Sequence, residues 1–329
     1  MSQTPTAYRL SALGIVAIRG PDARRFLQGQ LSCDVIGAPV GRVVFGGLHN
    51  PQGRVIALLQ LAVAGDSELL AVLPRERAAV ITARLQRFVL RAKVTLTDES
   101  ARYSIDGFSG AAAATALLAC GLDVSSMLPG DLRSATSGRV LHTGTVAAPR
   151  YLLLRLADAT DARSTLPASI SIGEAQIWHL DDIARGLPQV YAESSEAFVA
   201  QMLNLDVLGA IAFDKGCYTG QEVIARAHYR GRVKRRMRRF STQDRRTLVP
   251  GQRIRLQDGR SAQIVDFAAT AATAATPANA AVAGTRELLA VVAPTATLDD
   301  DAGVPSAPRA VATEPDWAVT ELPLPYALP

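Results

Sequence analysis

A cysteine placed among glycines is the residue of this chain whose surroundings most favour chemistry. Cys217 lies in the segment KGCYTGQEVIAR, with Gly216 directly before it and Gly220 three residues after it. Glycine lets the backbone bend sharply and lets a ligand approach closely. The thiolate is the reactive form of cysteine, so the reactivity of Cys217 depends on whether its neighbours stabilise a negative charge at this turn.

The residues after Cys217 predict a helix that begins at Thr219 and ends near Gly231. Thr219 and Glu222 have the spacing of a capping box, in which each side chain accepts a hydrogen bond from the other residue's backbone N–H. A helix N-terminus favours an anion, and Lys215 adds a positive charge two residues before the thiol. Two interpretations stay open: a reactive, partly ionised thiol, or an inert cysteine that fills a gap in a Gly-rich turn.

Common metal and nucleotide motifs are not found in the sequence. The cysteines lie far apart without CxxC spacing, and the histidines are scattered, at Cys33, Cys120, Cys217, His49, His142, His179 and His228. We interpret His179, which lies near Asp181 and Asp182, as part of a solvated helix face. Since a P-loop, a dinucleotide fingerprint and a Ser-His-Asp motif are also lacking, the sequence predicts no stable metal site and no nucleotide-dependent catalysis.

The composition is that of an ordinary folded protein of two or three domains. The chain has 329 residues, of which 20% are charged and 48% hydrophobic, and its net charge is +5. A segment of about 18 strongly apolar residues is lacking, as is a basic leader followed by an apolar run. We therefore expect a cytoplasmic protein in a reducing compartment, without a membrane partner.

Short apolar runs mixed with isolated helical patterns predict an α+β fold. The segments RVVFGGLH and VIALLQLAV, separated by NPQGR, predict a hairpin, and IGEAQIWHLDDIARGLP predicts an amphipathic helix that ends at Gly186. Beyond Gly231, short strands with a DG turn are typical of a small β-barrel. The C-terminal tail, rich in Pro, Ala and Asp, is predicted to be poorly ordered.

The segment around Cys217 resembles the signature of the YgfZ family, because KGCYTGQEVIAR is followed by an aromatic residue, Arg-Gly and a Lys-Arg pair. The resemblance also covers GPDARRFLQGQLSCDV, HNPQGRVIA and the segment that leads into the motif, and extends from about Leu13 to Phe240. Members of this family are folate-binding proteins related to the glycine-cleavage T-protein and implicated in iron–sulfur cluster assembly.

The resemblance implies a ring of three domains around a central cavity that binds tetrahydrofolate or a one-carbon derivative of it. Residues 1–230 would form an aminomethyltransferase-like, folate-binding region of two intertwined α+β domains. Residues 231–310 would form the C-terminal β-barrel, and residues 311–329 the poorly ordered tail.

The resemblance assigns any reaction to Cys217 and Lys215, within a frame made of Gly216, Tyr218, Gly220, Gln221, Glu222 and Arg226. The thiol would ligate or exchange a transient iron–sulfur cluster, or form a redox adduct. The partners implied are iron–sulfur enzymes, including the radical methylthiotransferase that modifies tRNA.

For folate, the resemblance indicates Trp178, on the helix before the Gly-Leu-Pro turn. A flat pterin needs an aromatic or apolar face, which a tryptophan supplies. The alternative is a core tryptophan on an amphipathic helix. Leu13 stands where some relatives carry a second tryptophan.

The resemblance favours a folate-dependent accessory factor for iron–sulfur enzymes. One alternative is an aminomethyltransferase of the T-protein type, for which Asp98 or Asp106 would supply the catalytic carboxylate. Another is a module that binds tRNA directly, through phosphate contacts of the arginine run Arg232, Lys234, Arg235, Arg236, Arg238 and Arg239. We interpret that run instead as a solvated edge strand.

Overall fold

The computed structural model describes residues 5–156, 166–231, 233–270, 284–293 and 316–329. Its elements form three sheets with a few helices, which confirms the α+β class. The strands are β1 (Thr6–Arg9), β2 (Leu13–Arg19), β3 (Val43–His49), β4 (Val55–Gly65), β5 (Glu68–Pro74), β6 (Thr95–Asp98), β7 (Tyr103–Ser109), β8 (Leu132–Ala135), β9 (Gly138–His142), β10 (Arg150–Leu156), β11 (Ser171–Gly173), β12 (Arg236–Thr242), β13 (Arg253–Arg255), β14 (Ser261–Ala269), β15 (Arg286–Val292) and β16 (Thr320–Leu322). The helices are α1 (Ala23–Gln28), α2 (Arg75–Gln86), α3 (Ala113–Ala119), α4 (Ala175–Ala184) and α5 (Gln221–Tyr229).

The first sheet is antiparallel, with the strand order β3-β4-β5-β2-β6. The predicted hairpin is confirmed, because β3 pairs with β4 across the NPQGR turn, where the Gly53 N–H donates to the Asn50 carbonyl over 2.9 Å. Helices α1 and α2 cover one face of this sheet. Helix α2 does so through Ala78, Ile81 and Leu85, whose spacing of three and four residues places them on one side of a helix.

The second sheet has the order β11-β1-β7-β10-β9-β8. Strand β1 pairs with β11 in parallel and with β7 in antiparallel orientation, although it directly precedes β2 of the first sheet. The chain therefore crosses between the two sheets at residues 10–12. An apolar cluster that includes Ile15, Leu70, Leu152 and Trp178 joins the strands of both sheets.

The third sheet is antiparallel, with the order β13-β14-β15-β12-β16, and is consistent with a small barrel-like domain. One apolar cluster joins it to α4, α5 and the segment between these helices. The second cluster of this sheet contains Phe240 and Trp317. Strand β14 packs against α4, which brings the third sheet next to the other two.

The prediction of a poorly ordered tail is wrong for residues 316–329. Strand β16 pairs with β12, and Trp317 is only 4% exposed. The Tyr326 hydroxyl donates to the Gly186 carbonyl over 2.8 Å. Composition could not reveal this order, because it depends on partners far away in the chain; residues 311–315 lie outside the described residues.

The arginine run is not a solvated edge strand, because β12 lies between β15 and β16. Two nitrogens of Arg236 contact both carboxylate oxygens of Asp206, at 3.0 and 2.8 Å. Arg239 donates twice to the buried Glu287, at 2.9 and 2.7 Å. Arg239 thus joins β12 to β15, and Arg236 joins β12 to the segment between α4 and α5. Arg232 lies outside the described residues.

Candidate functional site

A cavity of about 450 Å³ lies where the three sheets meet. Its apolar walls come from the crossing between β1 and β2, from α4 and from β14, and consist of Leu10, Ala12, Leu13, Pro74, Ala175, Trp178, Phe267, Ala268 and Ala269. Polar groups also line it, at Ser11, Gln176, His179, Asp182, Gln189 and Tyr191. Apolar walls with a few polar groups and a volume between about 300 and about 1,000 Å³ are typical of small-molecule sites.

Trp178 is both a core residue and a wall of this cavity. Its side chain is 6% exposed, and the guanidinium carbon of Arg150 lies 3.6 Å from the centre of its ring. A Cβ at Gly107 would come within 2.4 Å of the indole, so that only glycine leaves room for the ring there. Arg150 and Gly107 therefore fix the indole, and the two interpretations of this tryptophan do not exclude each other.

The structure brings Leu13 and Trp178 to the same cavity. Leu13 opens β2 and follows the crossing between the first two sheets, whereas Trp178 lies in α4, 165 residues later in the numbering. The leucine offers an apolar surface but no aromatic face. The aromatic side chains that line this cavity are instead Trp178, Tyr191 and Phe267, together with the imidazole of His179.

His179 is not part of a solvated helix face. Its Nε2 lies 2.9 Å from each carboxylate oxygen of Asp266, and Asp266 is 2% exposed. The Tyr191 hydroxyl donates to the same carboxylate over 3.2 Å. A register shift between Ile264 and Asp266 in β14 accompanies this placement of the acid, as is common for bulges near sites.

Sequence reasoning missed Asp266, Tyr191 and Arg150. A charged residue inside the apolar run AQIVDFA was a usable signal for Asp266, because buried carboxylates are normally paired. Its partner could not be identified from the sequence, since His179 lies 87 positions earlier.

The loop that carries Cys217 packs against the β3–β4 turn. Gly220 has a φ of 84°, and a Cβ there would lie 2.5 Å from the Asn50 carbonyl oxygen. Both the backbone conformation and the close approach therefore require glycine at this position. At Gly216, in contrast, a Cβ would meet nothing within 4 Å.

The predicted capping box is wrong. Helix α5 begins at Gln221, its N-cap is Gly220, and the N-cap makes no side-chain hydrogen bond. Glu222 instead pairs with Arg226 over 3.0 Å on the exposed side of the helix. The left-handed conformation of Gly220, with a φ of 84°, places the N-cap at this residue, so that the helix starts beyond Thr219.

Lys215 anchors this loop to the end of α1. Its Nζ donates to the carbonyl oxygens of Gln28, Leu31 and Cys33 over 2.7–2.8 Å. The same nitrogen lies 5.0 Å from the ring centre of the buried Tyr218. The three N–H donors of the ammonium group thus each have a backbone carbonyl acceptor, and Lys215 holds the loop in place.

Cys217 is exposed, unlike the buried Cys33 and the half-buried Cys120. None of the residues from Lys215 to Arg226, all described, lines the cavity at Trp178. The structure therefore places the predicted thiol and the predicted folate wall at two separate positions. Among the described residues, no group of three or more His, Cys, Asp or Glu side chains is arranged to hold a metal ion.

The two aspartates considered for aminomethyl transfer also lie outside the cavity lining, and the structure describes both. Asp106 is fully buried and paired with Arg155 and Arg9, with a distance of 2.7 Å to Arg9. Asp98 is exposed at the end of β6 and accepts hydrogen bonds from Ser100. The carboxylate at the cavity is Asp182, and Arg150 donates to it.

In the described part of the chain, no helix is both long and apolar enough to cross a membrane.

Comparisons with known proteins agree with these observations. No protein-family model matches the chain. It is 31% identical over 236 residues to the tRNA-modifying protein YgfZ of Edwardsiella ictaluri (strain 93-146), which covers 70% of this chain and 69% of that protein. It is 30% identical over 234 residues to the tRNA-modifying protein YgfZ of Vibrio vulnificus (strain YJ016), covering 70% and 68%.

Among solved structures, the glycine cleavage system aminomethyltransferase T from Bartonella henselae has a TM-score of 0.64. The superposition covers 88% of this chain and 79% of that one, at 14% sequence identity, and therefore shows the fold alone. It confirms the predicted T-protein type of architecture. The chain is at least 30% identical to the two YgfZ proteins over more than two thirds of their length, and it therefore belongs to the YgfZ family.

Proposed function

We propose that the protein binds a reduced folate in the cavity at Trp178 and thereby supports iron–sulfur enzymes that modify tRNA. The observation that carries this proposal is that Trp178 and Leu13 line one cavity between the sheets. The T-protein fold agrees with folate binding, and the relatives are named for tRNA modification.

The residues of the cavity fit a reduced pterin, tetrahydrofolate or a one-carbon derivative of it. Leu13, Trp178 and Phe267 would hold the flat bicyclic ring, while His179 and Gln189 offer hydrogen-bonding groups. When bound, a folate supplies a carrier for one-carbon units. The protein's own contribution is to bind and orient that ring and to exclude water from it.

The placement of carboxylates favours an accessory role over aminomethyl transfer. Asp98 and Asp106, both described, lie outside the cavity lining, and Asp106 is bound by two arginines. Asp182 does line the cavity, but Arg150 donates to it and also stacks on Trp178. Its carboxylate is therefore occupied in positioning the tryptophan.

The exposed loop at Cys217 suits contact with a partner protein. A thiol on the surface, outside the cavity, can be reached by an enzyme that carries an iron–sulfur cluster. Thiolates are the usual protein ligands of such clusters. We infer that the cavity binds folate and that Cys217 contacts the iron–sulfur enzyme.

Tryptophan fluorescence tests folate binding sharply, because the chain contains two tryptophans. Tetrahydrofolate should quench the unmodified protein, and Trp317→Phe should retain this quenching, since Trp317 lies in the second cluster of the third sheet. Trp178→Phe should lose it and should bind about threefold to tenfold more weakly by calorimetry, because a smaller ring covers less of the ligand.

Phenylalanine is preferable to alanine at position 178, because truncating a buried tryptophan costs about 3–5 kcal/mol of stability. Circular dichroism and thermal unfolding would show that both variants remain folded. Quenching that survives in Trp178→Phe but disappears in Trp317→Phe would place the ligand at another site. Absence of binding to every reduced folate would refute the proposed function.

A further inference from the structure

The pair formed by His179 and Asp266 gives the cavity a directed hydrogen-bond donor. Nε2 of His179 faces both oxygens of the buried carboxylate at 2.9 Å and therefore donates to it. Nδ1 has no hydrogen-bond partner among the described residues. The side chain is 35% exposed and lines the cavity, so that Nδ1 is available to a ligand.

The charges around His179 favour its protonated form. Burial lowers the pKa of the imidazole, but the hydrogen bond and the charge of Asp266, together with the charge of Asp182, outweigh burial and the nearby Arg150, so that the pKa is raised overall. Tyr191 donates to Asp266 and keeps a neutral hydroxyl, since burial and the neighbouring carboxylates raise its pKa. His179 is thus a group of this cavity whose charge depends on pH. Asp182 also lines the cavity, and burial raises the pKa of its carboxyl against the opposing charge of Arg150.

We propose that His179, held as an imidazolium by Asp266, orients the ligand of this cavity by donating its Nδ1–H to an acceptor on a flat heterocycle. This inference rests on the proposed function, and for a reduced folate the acceptor is the carbonyl oxygen of the pterin ring.

The physical reason is that apolar walls alone do not fix the orientation of a flat ring within its own plane. A charged donor at one end does, because a hydrogen bond from a charged group is stronger than a neutral one and depends on direction. Heterocycles with an acceptor at that edge should bind, and analogues of the same shape without it should be rejected.

The test is the Kd of tetrahydrofolate, measured by calorimetry from about pH 6 to about pH 9, the range around the titration of histidine. For the unmodified protein, the affinity should fall as the pH rises through the pKa of His179, because the imidazolium then loses its second proton. His179→Gln should bind about tenfold more weakly at the acidic end and show a flat profile. Asp266→Asn should shift the midpoint of the profile to lower pH, since the carboxylate that raises the pKa is gone.

His228→Gln is the matched control, because His228 lies on the exposed part of α5, stacked on Phe213, and should leave both affinity and profile unchanged. If His179→Gln binds like the unmodified protein with the same pH profile, the inference is wrong while the proposed function stands. If the unmodified protein binds no reduced folate, the proposed function fails and this inference with it.

Discussion

At the residue scale, the three cysteines differ in how far solvent reaches their sulfur atoms. Cys33 is 3% exposed, Cys120 is half-buried and Cys217 is exposed. Burial raises the pKa of the Cys33 thiol to about 11, and burial also raises the pKa of Cys120. Near neutral pH these two thiols therefore stay protonated and shielded, which leaves Cys217 as the thiol that other molecules can reach.

Alkylation with iodoacetamide near neutral pH should modify Cys217 well before Cys120 and Cys33. The reagent attacks accessible thiolates, and both burial and a raised pKa protect the other two. Peptide mass spectrometry over a time course would give the three rates, with the denatured protein as the control in which the rates converge. Faster labelling of Cys33 in the folded protein would contradict this account of the cysteines.

Single residues could be predicted where the motif itself defines the role. Cys217 and Trp178 were assigned through motifs of the resemblance; Cys217 is exposed and Trp178 lines the cavity, and their roles stay predictions. His179 was misinterpreted because its two nearest acids in sequence, Asp181 and Asp182, are not its hydrogen-bond partner. That partner, Asp266, comes from another sheet, and no local pattern predicts such a pairing.

At the element scale, the loop at Cys217 is held between two segments that come earlier in the sequence, the end of α1 and the β3–β4 turn. Lys215 binds the backbone after α1, and Gly220 sits against Asn50. The Asn50 side chain in turn donates to Glu196 over 2.9 Å, which ties the turn to the segment before the loop. The position of the thiol thus depends on three segments that are distant in sequence.

Lys215→Met should lower the free energy of unfolding by about 2 kcal/mol, because it removes hydrogen bonds from a charged donor to three backbone carbonyls. Urea unfolding would measure the loss. Lys93→Met is the control, since that lysine is exposed, and its stability should change by less than about 0.5 kcal/mol. Equal stability of both variants would show that Lys215 does not anchor the loop.

The elements themselves followed from the sequence wherever periodicity or turn chemistry decided them, as for the β3–β4 hairpin and α4. They were misjudged where a tertiary contact decided instead. Helix α5 starts after Thr219 because Gly220, which packs against Asn50, is its left-handed N-cap, and β12 is an interior strand because the tail supplies β16. Arg236 and Arg239 were predicted to face solvent because the sequence does not reveal their partners, Asp206 and Glu287.

At the scale of the whole molecule, the cavity exists because three sheets meet. The crossing at residues 10–12 contributes one wall, α4 the second and β14 the third. Removing any one of them would open the space to solvent. The family resemblance anticipated this architecture, whereas composition alone could not have revealed the order of the tail or its contact with Gly186.

The most direct test of the account is the level of methylthio-modified nucleosides in the tRNA of cells that lack their own family member and express this chain. Mass spectrometry should find the modification restored by the unmodified chain and by the control Cys120→Ser, but not by Cys217→Ser at equal protein abundance. Full restoration by Cys217→Ser, or no restoration by the unmodified chain, would contradict the claim that the exposed thiol supports tRNA-modifying iron–sulfur enzymes.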